Sequence, residues 1–110
     1  MTNKINNVQM ILSIIIPVYN EEKTVIEILK KIKDNQSNLF KYEIIVIDDG
    51  STDQTRKLLE SNKNLYDKLL VNESNKGKGF SIKKGISNAS GTHIIFQDAD
   101  LEYNPADYSK

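Results

Sequence analysis

The chain has 110 residues, a length that fits one small domain able to bury a core of its own. Fifteen basic and fifteen acidic side chains cancel, so there is no net positive field to hold nucleic acid. No cysteine is present, which removes disulfides and thiolate chemistry together and leaves oxygen, or the single histidine, as metal donors.

The first apolar run, Met10 to Val18, is broken by Ser13 and Pro17 and is about half the roughly 20 residues a membrane-spanning helix needs. It reads as a buried strand over Ile11 to Val18. The segment Met1 to Gln9 lacks the pattern of a signal peptide, so the default expectation is a cytoplasmic protein with no transmembrane segment in this chain. Val25, Ile28, Leu29 and Ile32 recur at three and four residues and predict a helix, with Lys23, Lys30, Lys31 and Lys33 on its wet side.

A second strand is predicted over Tyr42 to Ile47. A second helix is expected from Ser51, its hydroxyl capping the first turn and Gln54 completing a capping box, with Leu58 and Leu59 facing inward. A weaker strand follows at Lys68 to Val71. A third helix is read from Phe80 to Ala89 with Ile82, Ile86 and Ala89 on its buried face, then a last strand at Thr92 to Phe96. Nearly continuous apolar strands alternating with helices predict an α/β fold, a doubly wound and mostly parallel sheet with helices on both faces. In such sheets ligands bind at the carboxyl ends of the strands.

The polar residues collect at those ends. Pro17-Val18-Tyr19-Asn20-Glu21-Glu22 offers an aromatic face on which a base can stack, or a plain strand-to-helix turn with Asn20 as N-cap. Asp48-Asp49-Gly50-Ser51 puts two adjacent carboxylates after a buried strand. They are held by solvent, metal or a ligand's hydrogen bonds, or are turn and capping chemistry alone.

Asp98, Asp100 and Glu102 alternate, so they face one side if the backbone stays extended, and three hard oxygen ligands suit Mg²⁺ or Mn²⁺ completed by a diphosphate. A solvated acidic loop is the bland alternative. Asn75-Lys76-Gly77-Lys78-Gly79 sets two cations near the start of a helix, where phosphate is the natural guest. It is not a dinucleotide fingerprint, because Ile82 stands where that pattern needs glycine. His93 has no second histidine at ligand spacing and reads as structural.

Together, Ser13 to Glu22, Val46 to Asp53 and Gln97 to Glu102 resemble the family 2 glycosyltransferases of GT-A fold, in particular the dolichyl-phosphate and undecaprenyl-phosphate sugar synthases. The resemblance implies that Pro17, Tyr19 and Glu21 form the first nucleotide-contacting segment and that Ile47 and Asp49 meet the base. Asp98, Ala99 and Asp100 match its DxD segment, with Asp98, Asp100 and Glu102 as metal positions and Ala99 at the nucleotide-sugar. Lys78 and Lys83 match basic positions of a GKGxxxR segment, Lys83 standing in place of arginine.

The implied reaction moves a sugar from a UDP- or GDP-linked donor to an acceptor, a polyprenyl phosphate or a glycan, at the cytoplasmic face of a membrane. The expectation is a donor-binding half that stops before the acceptor half, with catalytic residues beyond Lys110. Two other classes compete: a noncatalytic nucleotide- or metal-binding module, and a receiver-type phosphoacceptor domain, whose acidic pair belongs after the first strand. An unfinished sheet edge after Phe96 allows pairing into a homo-oligomer.

Overall fold

Nine consecutive residues rich in isoleucine, Met10–Val18, form the first strand, β1, in a computed structural model that describes residues 10–99. The other elements follow in the expected alternation: α1 (Val25–Asp34), β2 (Phe40–Asp49), α2 (Thr55–Glu60), a 3₁₀ turn (Lys63–Leu65), β3 (Lys68–Asn72), α3 (Lys78–Ser87) and β4 (His93–Phe96). The sheet order is β3-β2-β1-β4, and every pairing is parallel. Among the described residues no helix is long and apolar enough to cross a membrane.

Both faces of the central strands are covered, which is why their sequence is apolar without alternation. On one face Leu12, Ile14, Ile16, Val18, Ile44 and Val46 pack with Val25, Ile28, Leu29 and Ile32 of α1 and Leu59 of α2. On the other, Ile15, Ile45 and Ile47 lie beneath α3. The chain therefore winds outward through α1 and α2 and then crosses back over the opposite face, through α3, to place β4 beside β1. The winding reverses between β1 and β4, and the carboxyl ends of these strands form the crevice where ligands bind in open α/β sheets.

Three local expectations are corrected. The second helix starts at Thr55, not Ser51: Asp53 Oδ1 accepts the Thr55 N–H at 2.8 Å, while Ser51 Oγ accepts the N–H of Asn20 at 3.0 Å. Leu59 is buried as expected, whereas Leu58 is only half-buried. The third helix starts at Lys78 and buries Ser81 and Gly85 rather than Ile82 and Ile86; Ile86 is 41% exposed. The cause is close approach to the sheet, since a Cβ on Gly85 would lie 2.6 Å from Ile15 Cγ2 and 2.8 Å from Ile47 Cδ1. Small residues four apart let the helix settle, and the larger isoleucines are turned aside. Ile94 and Phe96 of β4 pair with Ser13 and Ile15 and so stand on the α3 face, where both are exposed among the described residues.

Candidate active site

Asn20 does not cap the helix that follows it. It adopts a left-handed conformation, φ 51°, tolerated by asparagine, and its Oδ1 accepts the backbone N–H groups of Thr52 at 2.8 Å and Asp53 at 3.2 Å. In return Glu21 N–H donates to Thr55 Oγ1 at 2.8 Å and Glu22 N–H to Asp53 Oδ2 at 3.3 Å, while Gln54 N–H donates to Glu22 Oε1 at 2.9 Å. The loops after β1 and β2 are thus buttoned together. Burial raises the Asp53 pKa, but hydrogen bonds from Thr55 and the Glu22 backbone outweigh it and the net shift is downward.

The adjacent carboxylates of Asp48 and Asp49 escape mutual repulsion because strand alternation sends them to opposite faces. Asp48 is fully buried, its Oδ1 accepting the Ser51 N–H at 3.0 Å while its Oδ2 has no hydrogen-bond partner among the described residues. Asp49 turns the other way, toward the loop that precedes α3. Its Oδ1 accepts from Lys76 N–H at 2.7 Å and Asn72 Nδ2 at 2.9 Å, and its Oδ2 accepts from Gly77 N–H at 2.9 Å. Burial alone would raise its pKa; these donors, with Ser81, hold it below the ordinary carboxylate value. Asp49 therefore stays ionised and fixes the point from which α3 departs.

Gly77, at φ 99°, is the N-cap of α3, and Lys78 is the helix's first residue. The Lys78 ammonium reaches across to the Asp98 carboxylate and forms an ion pair. Just beyond, Thr24 Oγ1 donates to the Ala99 carbonyl at 2.7 Å, tying the segment after β4 to the start of α1; Glu21 Oε2 lies 3.1 Å from the same hydroxyl. Ala99 is buried against the α1 face.

These contacts enclose an open cavity of about 380 Å³ lined by Pro17, Val18, Tyr19, Glu21, Asp49, Asn75, Gly77, Lys78, Asp98 and Ala99. Seven residues singled out from the sequence meet there: Pro17, Tyr19, Glu21, Asp49, Lys78, Asp98 and Ala99. Two do not line it. Ile47 is fully buried under Gly85, and Lys83 is exposed on α3. Asp100 and Glu102 lie outside the described residues, so the alternation expected from Asp98 to Glu102 is described only at its first member; β4 itself ends at Phe96. Asn75 and Gly77, from the segment read as a phosphate site, complete the lining, whereas Thr24 and Asn72 behind it were not assigned a role from the sequence. Their signal is spatial rather than local. His93 is remote from the cavity and packs edge-on to Phe40 at a ring separation of 5.9 Å.

Among the described residues three carboxylates and one ammonium face the cavity, so an anionic guest is helped by an added cation. Asp98 is a hard oxygen donor that already holds a positive charge, which fits a divalent ion. Among the described residues no three His, Cys, Asp or Glu side chains cluster closely enough to cage a metal by themselves. By itself Asp98 offers the hard oxygen type that Mg²⁺ or Mn²⁺ takes.

The profile of Glycosyl transferase family 2 matches residues 13–110. The undecaprenyl-phosphate 4-deoxy-4-formamido-L-arabinose transferase of Proteus mirabilis is 38% identical over 106 residues, covering 93% of this chain and 31% of its own. The S. aureus TarS 1-349 structure in complex with UDP superposes with a TM-score of 0.74 at 32% identity, covering 83% of this chain and 28% of that one. The mannosyltransferase PcManGT of Pyrobaculum calidifontis, in complex with GDP-Man and Mn²⁺, has a TM-score of 0.70 at 25% identity over 86% of this chain and 28% of its own. The chain thus spans about a third of the length of these relatives. The shared fold is a parallel α/β sheet of GT-A type, and Tyr19 and Asn20 directly follow β1 at the place where a receiver domain carries its acidic pair.

Proposed function

The chain belongs to glycosyl transferase family 2, and from that premise we propose that it binds a nucleoside diphosphate sugar with a divalent cation, as the donor-binding part of a sugar transferase. The observation that carries the reading is the cavity at the β1/β4 reversal, where an aromatic ring, an anchored loop, a lysine and an aspartate converge. In this reading Tyr19 and Pro17 form the platform for the base, and Asp49 borders it with an ionised acceptor already set by three donated hydrogen bonds. Glu21 lies at the sugar or ribose side, and Lys78, at the positive end of α3, meets the diphosphate. Ala99 borders the donor through its backbone. Ile47 supports this wall from the core, and Lys83 contributes positive charge from the outer surface of α3.

Asp98, with Asp100 and Glu102 from the adjoining segment, would hold the Mg²⁺ or Mn²⁺. The ion, when bound, neutralises the departing diphosphate. The acceptor proposed for the whole protein is a polyprenyl phosphate, the group named for the Proteus mirabilis relative, or a glycan. The described residues are assigned no catalytic base. Residues 1–110 are proposed to act as one folded unit of a longer transferase domain at a membrane's cytoplasmic face.

Calorimetry with UDP- and GDP-linked sugars, with Mn²⁺ or with EDTA, tests this. Nucleotide and metal should each bind at least about fivefold more tightly in the other's presence, because the diphosphate completes the metal's shell. Equal nucleotide affinity in EDTA and in Mn²⁺ would contradict the arrangement.

A further inference from the structure

The ion pair between Lys78 and Asp98 places a cation on the carboxylate assigned to the metal. Both side chains line the same cavity and both retain solvent access, 59% and 31% exposed respectively. Lys78 is the first residue of α3, so its charge sits at the positive end of the helix dipole, and no acidic residue stands in that first turn to offset it. Asp98 supplies an offset from 20 residues away. A lysine at this position is well placed only while some anion faces it.

Its root is fixed, and its tip pairs with Asp98 across the cavity. The Lys76 and Gly77 amides are pinned to Asp49 immediately before the helix begins, so the Lys78 Cα cannot drift. The side chain is a flexible four-carbon stem ending in a point charge with three rotatable donors, which changes partners more readily than a bidentate guanidinium fork does.

We propose that Lys78 is an exchangeable counter-cation: it holds Asp98 while the cavity lacks metal, and turns to the donor's diphosphate when a divalent ion takes Asp98. This rests on the donor-site reading above and extends it. The exchange means that Lys78 competes with metal and cooperates with nucleotide, so removing its charge moves the two affinities in opposite directions. It also gives metal and nucleotide a reason to arrive together, since the diphosphate rewards the lysine for leaving Asp98.

The test measures free Mn²⁺ by electron paramagnetic resonance in nucleotide-free protein, and UDP and GDP affinity by calorimetry at saturating Mn²⁺. Wild type is set against Lys78→Met, with Lys30→Met on the outer face of α1 as the net-charge control and circular dichroism as the check on folding. Lys78→Met should bind Mn²⁺ alone about two- to fivefold more tightly, the range of an exposed ion pair, and UDP or GDP about tenfold more weakly. Lys78→Arg keeps the charge and grips Asp98 with a fork, so it should bind Mn²⁺ alone more weakly than wild type; this variant carries the test if Lys78→Met does not fold.

Unchanged or weakened Mn²⁺ binding in Lys78→Met, or the same shifts in Lys30→Met, overturns the exchange while leaving the donor site standing. If wild type binds neither UDP nor GDP even with Mn²⁺, the donor-site reading itself fails and the exchange falls with it.

Discussion

Glu43 should make the stability of this fold depend on acid in a calculable way. It stands on β2 at the end of the sheet opposite the cavity, and its side chain is only 13% exposed. Its Oε1 accepts from Ser13 Oγ at 2.7 Å and Ser90 N–H at 2.9 Å; its Oε2 accepts from Ser90 Oγ at 2.9 Å and pairs with Lys68 Nζ at 3.3 Å. Burial pushes its pKa up, but these donors more than reverse that and bring it from 4.5 to about 2.

A carboxylate depressed in the folded state contributes stability that is full above its unfolded pKa and is lost as pH falls through its folded pKa. The window is therefore from about 4.5 down to about 2. At about 1.4 kcal/mol per pKa unit the contribution near neutrality is about 3 kcal/mol. Glu43→Gln removes the charge at nearly constant volume, so its urea-unfolding free energy should fall short of wild type by about 2 to 3 kcal/mol at pH 7. By pH 3 the gap should shrink to roughly half as wild type begins to protonate. A gap that stays constant from pH 7 to pH 3 would refute the reasoning, because it would mean that shape rather than ionisation holds the α3–β4 loop.

Two further changes probe how the cavity wall is held. Gly50→Ala should cost about 2 kcal/mol or more in urea unfolding and weaken UDP binding, since Gly50 has φ 72° and its Cβ would lie 2.5 Å from the Ser74 carbonyl carbon and 2.6 Å from Asn75 N; Gly79→Ala, with nothing within 4 Å, should instead stabilise slightly. Thr24→Val removes the hydroxyl that donates to the Ala99 carbonyl at 2.7 Å, so it should cost about 1 kcal/mol of stability and loosen Mn²⁺ binding in the presence of UDP; calorimetry that finds the metal constant unchanged would leave Thr24 with a structural role only, at the start of α1.

The two central strands were legible because burial on both faces leaves no room for alternation, and the runs around Ile14 and Ile45 show it plainly. The first helix was legible because its apolar spacing at Val25, Ile28, Leu29 and Ile32 matches its buried face. What misled were residues whose partners lie far away in sequence. Ser51 and Asn20 both look like caps for the helix just after them, but they bond each other's loops, 31 to 33 residues apart. Ile82 and Ile86 look like a core stripe, but Ser81 and Gly85 are what allow α3 to lie close to Ile15 and Ile47.

The site was legible as three motifs at strand ends, and the reversal of winding between β1 and β4 is what brings Tyr19, Asp49, Lys78 and Asp98 to one cavity. The anchoring of Asp49 by the Lys76 and Gly77 amides was not legible, since backbone donors leave no mark in side-chain identity. Nor was the separation of Asp48 from Asp49, which read as a repelling pair until strand alternation set them on opposite faces.

The central claim, that the cavity at the β1/β4 reversal takes the donor nucleotide, is tested most directly by amide chemical-shift mapping of ¹⁵N-labelled protein titrated with UDP and with GDP in Mg²⁺. The account predicts that the largest shifts fall on Tyr19, Glu21, Asp49, Gly77, Lys78, Asp98 and Ala99, with Glu43, Ser90 and His93 at the other end of the sheet unmoved. Saturable shifts centred on the Glu43 end, with the amides of Lys78 and Asp98 unchanged, would contradict it.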